Sequence, residues 1–245
     1  MEVHAHTHTA RKKWTHYFWE FLMLFLAVFC GFLAEYQLEH MIEHQREKQY
    51  VRSFLEDLKG DISQLDSLIN SRSLRKSSID SLNKLLDAPD PDVFGKEIYY
   101  LTRLLTVTPI FFNNDRTIQQ LKNGGNLRLI RKQRVSDAIM TYDNQVRWNG
   151  IIIDREQHFV REYIKLIEEI FDSRVFNEMA TGVFGFRIPE NNPKLLKKDK
   201  ATIQLFLNKL HFLNSVNSFM LMTNNSLLEK ANQTKKIIEE EYYLK

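Results

Sequence analysis

The sequence predicts an all-α protein, an N-terminal transmembrane helix continuing into an antiparallel bundle of long helices. Apolar residues recur at alternating spacings of three and four over most of the chain, which is the rhythm of one helix face. Eight glycines and five prolines in 245 residues are few, and the prolines, at 89, 91, 109, 189 and 193, all fall between periodic stretches. No strand-like alternation of apolar and polar residues competes with this reading.

The first element is the anchor, residues 14–36. From Phe21 to Ala34 there is no charge. The wider span reaches roughly 33 Å, close to the ~30 Å hydrocarbon thickness of a bilayer. A cleavage site needs small residues at its −3 and −1 positions, and Phe32 before Ala34 is too large. Lipidation of Cys30 would need a small residue before it, and Phe29 stands there. The expectation is an uncleaved anchor. Arg11, Lys12 and Lys13 precede it, whereas Glu35, Glu39 and Glu43 follow, so the N-terminus is expected in the cytoplasm. Trp14, Tyr17 and Trp19 suit an aromatic belt at that interface.

Beyond the anchor, Leu58, Ile62, Leu65 and Ile69, then Ile79, Leu82 and Leu86, continue the helical rhythm until Pro89 and Pro91 stop it. A shorter segment covers residues 92–107, and another short helix lies around 117–122. "KNGGNLRLIRKQRV" predicts a helix end with Gly124 or Gly125 in the left-handed cap, a brief turn and a new helix. Ile139, Tyr142, Val146, Ile153, Val160, Tyr163, Ile167 and Ile170 give that helix one stripe, interrupted by Asn149 and Glu156. Residues 180–194 form the clearest loop, and Asp199 is placed to cap the last helix. There Ile203, Phe206, Leu210, Leu213, Met220, Leu227, Ala231 and Ile238 form the stripe, with Asn217 and Asn224 within it. Polar residues on such a seam usually fix register. The competing reading is a polar ligand site lined by Asn149, Asn217 and Asn224. The expected organisation is a cytoplasmic tail, 1–13, the anchor, 14–36, and an extracytoplasmic bundle, 37–245.

With 34 basic and 31 acidic residues the charge is nearly balanced, and the clusters at Arg128 to Arg134 and Lys194 to Lys200 read as solvated helix ends. No nucleic-acid footprint follows. The only cysteine, Cys30, falls in the anchor, which excludes an intrachain disulfide and a thiol-based mechanism in the bundle.

Glu20 is the most unusual residue of the anchor, since an unpaired charge in a membrane costs at least ~2.5 kcal/mol. His16 stands one turn before it. At about 100° per residue, Ala27, Gly31 and Ala34 fall within about 40° of Glu20. Small residues on one face let helices approach closely, so these four form a candidate helix-association face. "HMIEH", His40 to His44, matches the H-x-x-E-H zinc-peptidase pattern, but no third ligand is identifiable. His40 and His44 are therefore weak metal candidates, and no metal or cofactor is expected. His4, His6 and His8 alternate in the tail. No phosphate loop, nucleophile elbow or acid-base carboxylate pair is present in the sequence, so no enzymatic activity is expected.

The segments "FWEFLMLFLAVFCGFLAEYQLEH", "REKQYVRSFLEDLKGDISQLD" and "TIQQLKNGGNLRLIRKQRVSDAIMTYD" resemble a family of uncharacterised small single-pass membrane proteins of Bacteroidota bacteria. The resemblance covers roughly the first 145 residues. Glu20 matches an early anchor glutamate, and Gly124 to Ile130 match a small-residue turn before a leucine-isoleucine pair. The histidine-bearing tail and the phenylalanine-rich anchor depart from the family. The resemblance implies a Gram-negative inner membrane with the bundle in the periplasm, and carries no activity.

The functional expectation is a membrane-anchored scaffold or adaptor, working by association with itself or another inner-membrane protein. A ligand-binding sensor subunit that signals through a partner is the alternative.

Overall fold

The computed structural model describes residues 14–182 and 185–244. The Arg11 to Lys13 cluster and the histidines at 4, 6 and 8 lie outside the described residues. The chain divides into two compact units, one ending at Gln49 and one beginning at Tyr50.

The first helix, α1, runs from Trp14 to Leu86. Its stretch within the first unit contains residues 14–36, the predicted anchor. Large apolar side chains are exposed around its whole circumference, with Phe21 64%, Leu24 69% and Phe32 67% accessible. Among the described residues, α1 is the helix long and apolar enough to cross a membrane. Phe21, Phe25 and Phe29 stack successively along one side, as an i, i+4 spacing requires.

In the second unit the remainder of α1 packs with two other long helices, α4 (Gln133–Ile170) and α6 (Lys200–Tyr242). Between α1 and α4 come a 3-10 turn, Pro91–Phe94, then α2 (Gly95–Leu104), α3 (Arg116–Asn123) and a second 3-10 turn, Asn126–Leu129. Between α4 and α6 stand α5 (Ser173–Met179) and a hairpin of β1 (Ala180–Thr181) and β2 (Gly185–Phe186), antiparallel with Ala180 opposite Phe186. The sequence reading missed α5 and the hairpin because both are shorter than a detectable period. Asp172 caps α5, accepting a bond from the Arg174 amide.

Residue pairs fix the helix directions. Tyr142 meets Asp61 and Glu156 meets Arg72, so α1 and α4 advance in the same direction. Asn149 meets Asn224 and Tyr163 stacks on Phe206, so α6 runs antiparallel to α4. The parallel pair arises because the segment from α2 to α3 carries the chain back to the level where α4 begins.

Local chemistry sets the ends. Asp199 accepts a bond from the Thr202 amide at the start of α6, as its position predicts. Of the two glycines, Gly125 holds the left-handed conformation, with φ 62°, while Gly124 has an ordinary negative φ. The core has two apolar clusters. One gathers Ile79, Leu82, Leu86, Tyr163, Ile170 and Phe206, and the other gathers Phe54, Leu58, Leu65, Ile139, Leu227 and Ile238. The predicted α6 stripe is buried throughout. On α4, Ile152 takes the buried place expected of Ile153, and on α1 Leu68 is buried where Ile69 is only partly so. The 3.6-residue turn drifts against a seven-residue count, which shifts the buried face by one position.

Candidate functional site

On α1 the buried positions Leu65, Leu68, Arg72, Arg75, Ile79, Leu82 and Leu86 alternate spacings of three and four without a break. Two arginines therefore occupy core positions. They lie between the residues that α1 gives to the two apolar clusters, and with Glu156, Asn217, Asn149 and Asn224 they form a polar layer.

Arg72 is the centre of that layer. Its Nη1 donates to Glu156 Oε1 at 2.9 Å and its Nη2 to Oε2 at 2.8 Å. The same nitrogens donate to Asn217 Oδ1 at 3.2 Å and to the Pro109 carbonyl at 2.8 Å. Asn217 returns a bond from its Nδ2 to the Arg72 carbonyl at 3.1 Å. Arg72, Glu156 and Asn217 have no solvent exposure. A planar guanidinium is suited to this fork, and multiple donors offset the desolvation of both charges.

Arg75, one turn on and 5% exposed, has a different set of partners. Nη1 donates to the Val107 carbonyl at 2.6 Å and Nη2 to the Leu105 carbonyl at 2.8 Å. Both partners are neutral. Burial pushes its pKa below the usual arginine range, opposed by the charge of Glu156 and assisted by that of Arg72. An arginine stays protonated at neutral pH regardless.

Asn149 and Asn224 pair with each other, Nδ2 to Oδ1 at 2.7 Å. The three asparagines of the competing ligand-site reading are thus split: two form a couple and Asn217 joins the arginine. None of the three lines the concavities beside Phe212 or Arg75.

A second acidic hub anchors the segment before α3. Asp57 accepts from Arg116 Nη2 at 2.9 Å, from the Thr117 amide at 3.1 Å and from the Thr117 hydroxyl. Asp61 accepts from the Asn114 amide at 2.7 Å, Asn114 Nδ2 at 2.9 Å and the Tyr142 hydroxyl at 2.7 Å. Burial raises the pKa of Asp61, and burial followed by the charge of Asp61 raises that of Tyr142. Gly60 makes room for this turn, since a Cβ there would lie 2.7 Å from Asn114 Nδ2.

The residues singled out in the first unit behave differently. His16 Nε2 lies 3.0 Å from a Glu20 oxygen. Ala27, Gly31 and Ala34 are exposed, and a Cβ added to Gly31 would meet nothing within 4 Å. His40 sets its ring edge-on to Tyr36 at 4.3 Å, and His44 Nδ1 lies 3.2 Å from Glu47 Oε2. Among the described residues, no group of three or more His, Cys, Asp or Glu side chains is arranged to hold a metal.

A last feature had no signal in the core stripes. On the outer side of α4 and α6, Trp148, Ile151, Phe212, Phe219 and Met222 are 40 to 61% exposed. Phe159 stacks on Phe212 with ring centres 6.2 Å apart. Together with Arg155 and Ser215 the phenylalanines line a groove of about 270 Å³. Leu205, Phe212 and Phe219 are spaced by seven, a signal legible in the sequence as a second stripe.

The chain matches no family model, no curated protein and no solved structure.

Proposed function

We propose that this chain is a membrane-anchored helical scaffold of the bacterial inner membrane, with its N-terminus cytoplasmic and its bundle periplasmic, which acts by protein-protein association with a second copy of itself. The observation that carries the proposal is the exposed aromatic seam on α4 and α6. Contiguous apolar patches on soluble surfaces mark association sites, and aromatic residues dominate the energetics of such sites.

Repeat and tether both favour a second copy as the occupant. The seam has the heptad spacing of the inner stripes, so it fits a helix of the same repeat, and a two-fold arrangement lets each copy cover the seam of the other. Anchoring both copies in one membrane raises their effective concentration. The face of Glu20, Ala27, Gly31 and Ala34 supplies a second contact of the same kind within the bilayer. The resemblance to single-pass membrane proteins and the basic cluster before the anchor support the compartment.

Two differently tagged full-length copies should co-purify from solubilised membranes, and Phe212→Glu with Phe219→Glu should reduce that recovery several-fold while the bundle stays folded. Failure of the unaltered copies to co-purify would overturn self-association and leave another inner-membrane protein as partner. A periplasm-only reporter fused after Lys245 should be active, and the reverse would sink the orientation. The alternative reading, a ligand-binding sensor subunit, takes its support from a concavity lined by Ser71, Leu74, Arg75 and Val107.

A further inference from the structure

The polar layer does not balance its charge. It holds two buried guanidiniums, Arg72 and Arg75, and one buried carboxylate, Glu156. That carboxylate is engaged through both oxygens by Arg72. Arg75 is left with two backbone carbonyls, and its Nε is buried with no hydrogen-bond partner among the described residues. Glu156 acts on Arg75 only at a distance, and a buried cation with no anion in direct contact is costly; proteins normally supply the counter-charge.

Beside Arg75 there is space for one. A concavity of about 250 Å³ is lined by Ser71, Leu74, Arg75, Ser78, Val107 and Pro109. Its walls are mostly aliphatic. Leu74 and Val107 are 70% and 52% exposed, which leaves apolar surface facing solvent at this place. The hydroxyls of Ser71 and Ser78 donate to the carbonyls of Ser67 and Leu74, each at 3.0 Å. A cationic floor with aliphatic walls is the chemistry that recognises a carboxylate carried on a hydrocarbon chain. A wholly apolar ligand would leave the guanidinium uncompensated, and a small hydrophilic anion would leave the aliphatic walls wet.

We propose that the concavity between α1 and residues 104–109 binds an amphiphilic monoanion of the medium-chain fatty-carboxylate class, with its headgroup paired to Arg75 and its chain against Leu74, Val107 and Pro109. The carbonyls of Leu105 and Val107 hold the guanidinium in place. Occupation would therefore brace the tie that Arg75 already makes between α1 and the α2–α3 connection. This site is separate from the aromatic seam, and its failure would leave self-association untouched.

The test uses the full-length protein in lipid nanodiscs, with carboxyl-labelled octanoate titrated and its carboxyl NMR resonance followed against empty discs. Saturable binding is expected. Arg75→Met should weaken it by about tenfold or more, the loss of one charge-assisted contact. Because that variant also frees two backbone carbonyls, Val107→Trp serves as the second arm: it fills the concavity, keeps the guanidinium and should also abolish binding. Acetate and octanol, which each carry half of the chemistry, should compete at least about tenfold less well than octanoate. Octanoate binding that is not saturable, or that is unchanged in both variants, would overturn the proposal. So would octanol competing as well as octanoate, which would reduce the site to an apolar dent, or acetate doing so, which would reduce it to an anion site.

Discussion

Arg72 and Glu156, 84 residues apart in the chain, face each other as a two-bond fork with no solvent access to either side chain. Removing one partner leaves the other buried and charged, which typically costs ~3–5 kcal/mol. Arg72→Met and Glu156→Leu should each destabilise the detergent-solubilised full chain by that order in urea unfolding. The double replacement should cost less than the sum, since it leaves no orphaned charge. Additive losses would mean that the pair is not coupled.

Gly125 holds φ 62° with nothing near its missing side chain, so its cost of substitution is purely conformational. Gly125→Ala should destabilise by about 1 kcal/mol, and Gly125→Asn by less, because asparagine tolerates the left-handed region better. Equal stability of all three, by thermal unfolding, would contradict a fixed left-handed turn.

Gly31 lies on the anchor face with Glu20, Ala27 and Ala34, and its surface is open in the single chain. If two anchors meet there, Gly31→Leu should separate them, while Leu24→Ala on another face should do little. Cysteine cross-linking along the anchor in a Cys30→Ala background reads this directly. A helical period centred on Ala27 and Gly31 is expected, and uniformly weak pairing would exclude self-association through this face.

Asp92 ties the turn before α2 to the segment before α6. It accepts from Lys198 Nζ at 2.6 Å and from the Leu195 amide at 3.1 Å, and the Lys198 bond, foremost, holds its carboxyl below the usual range. A depressed acid stabilises the fold above its unfolded pKa, near 4, and that contribution is lost as pH falls through the folded value. The gap in urea midpoint between the unaltered chain and Asp92→Asn should therefore be constant near neutrality and close below about pH 4. A gap that persists under acid would show that the ion pair is not its source.

The apolar stripes of α4 and α6 were legible in the sequence because buried leucines, isoleucines and phenylalanines recur there at helical spacing. The Asp199 cap was legible as a short side chain before that period. Arg72 and Arg75 were not, although their spacing is continuous with Leu68 and Ile79. A charged residue is read as solvated by default, and only the position of Glu156 on another helix makes its burial intelligible. Asn217 was legible as a polar position on the α6 stripe, but its partner, 145 residues away, was not. The direction of α1 against α4 was equally hidden, since it depends on how the short helices between them return the chain.

The polar layer has two rungs. Asn149 and Glu156 are one heptad apart on α4, as are Asn224 and Asn217 on α6, and the rungs join in reverse order. Leucine-rich seams alone are nearly indifferent to a one-heptad slide, since every knob finds an equivalent hole. Two unlike rungs work as a vernier: a slide of α6 by seven residues would set either Leu210 or Asn224 against the Arg72 fork and strand an asparagine among aliphatic neighbours. The bundle is thus keyed to a single alignment, and a pull along its length meets a helix set that must come apart at the layer before it can creep.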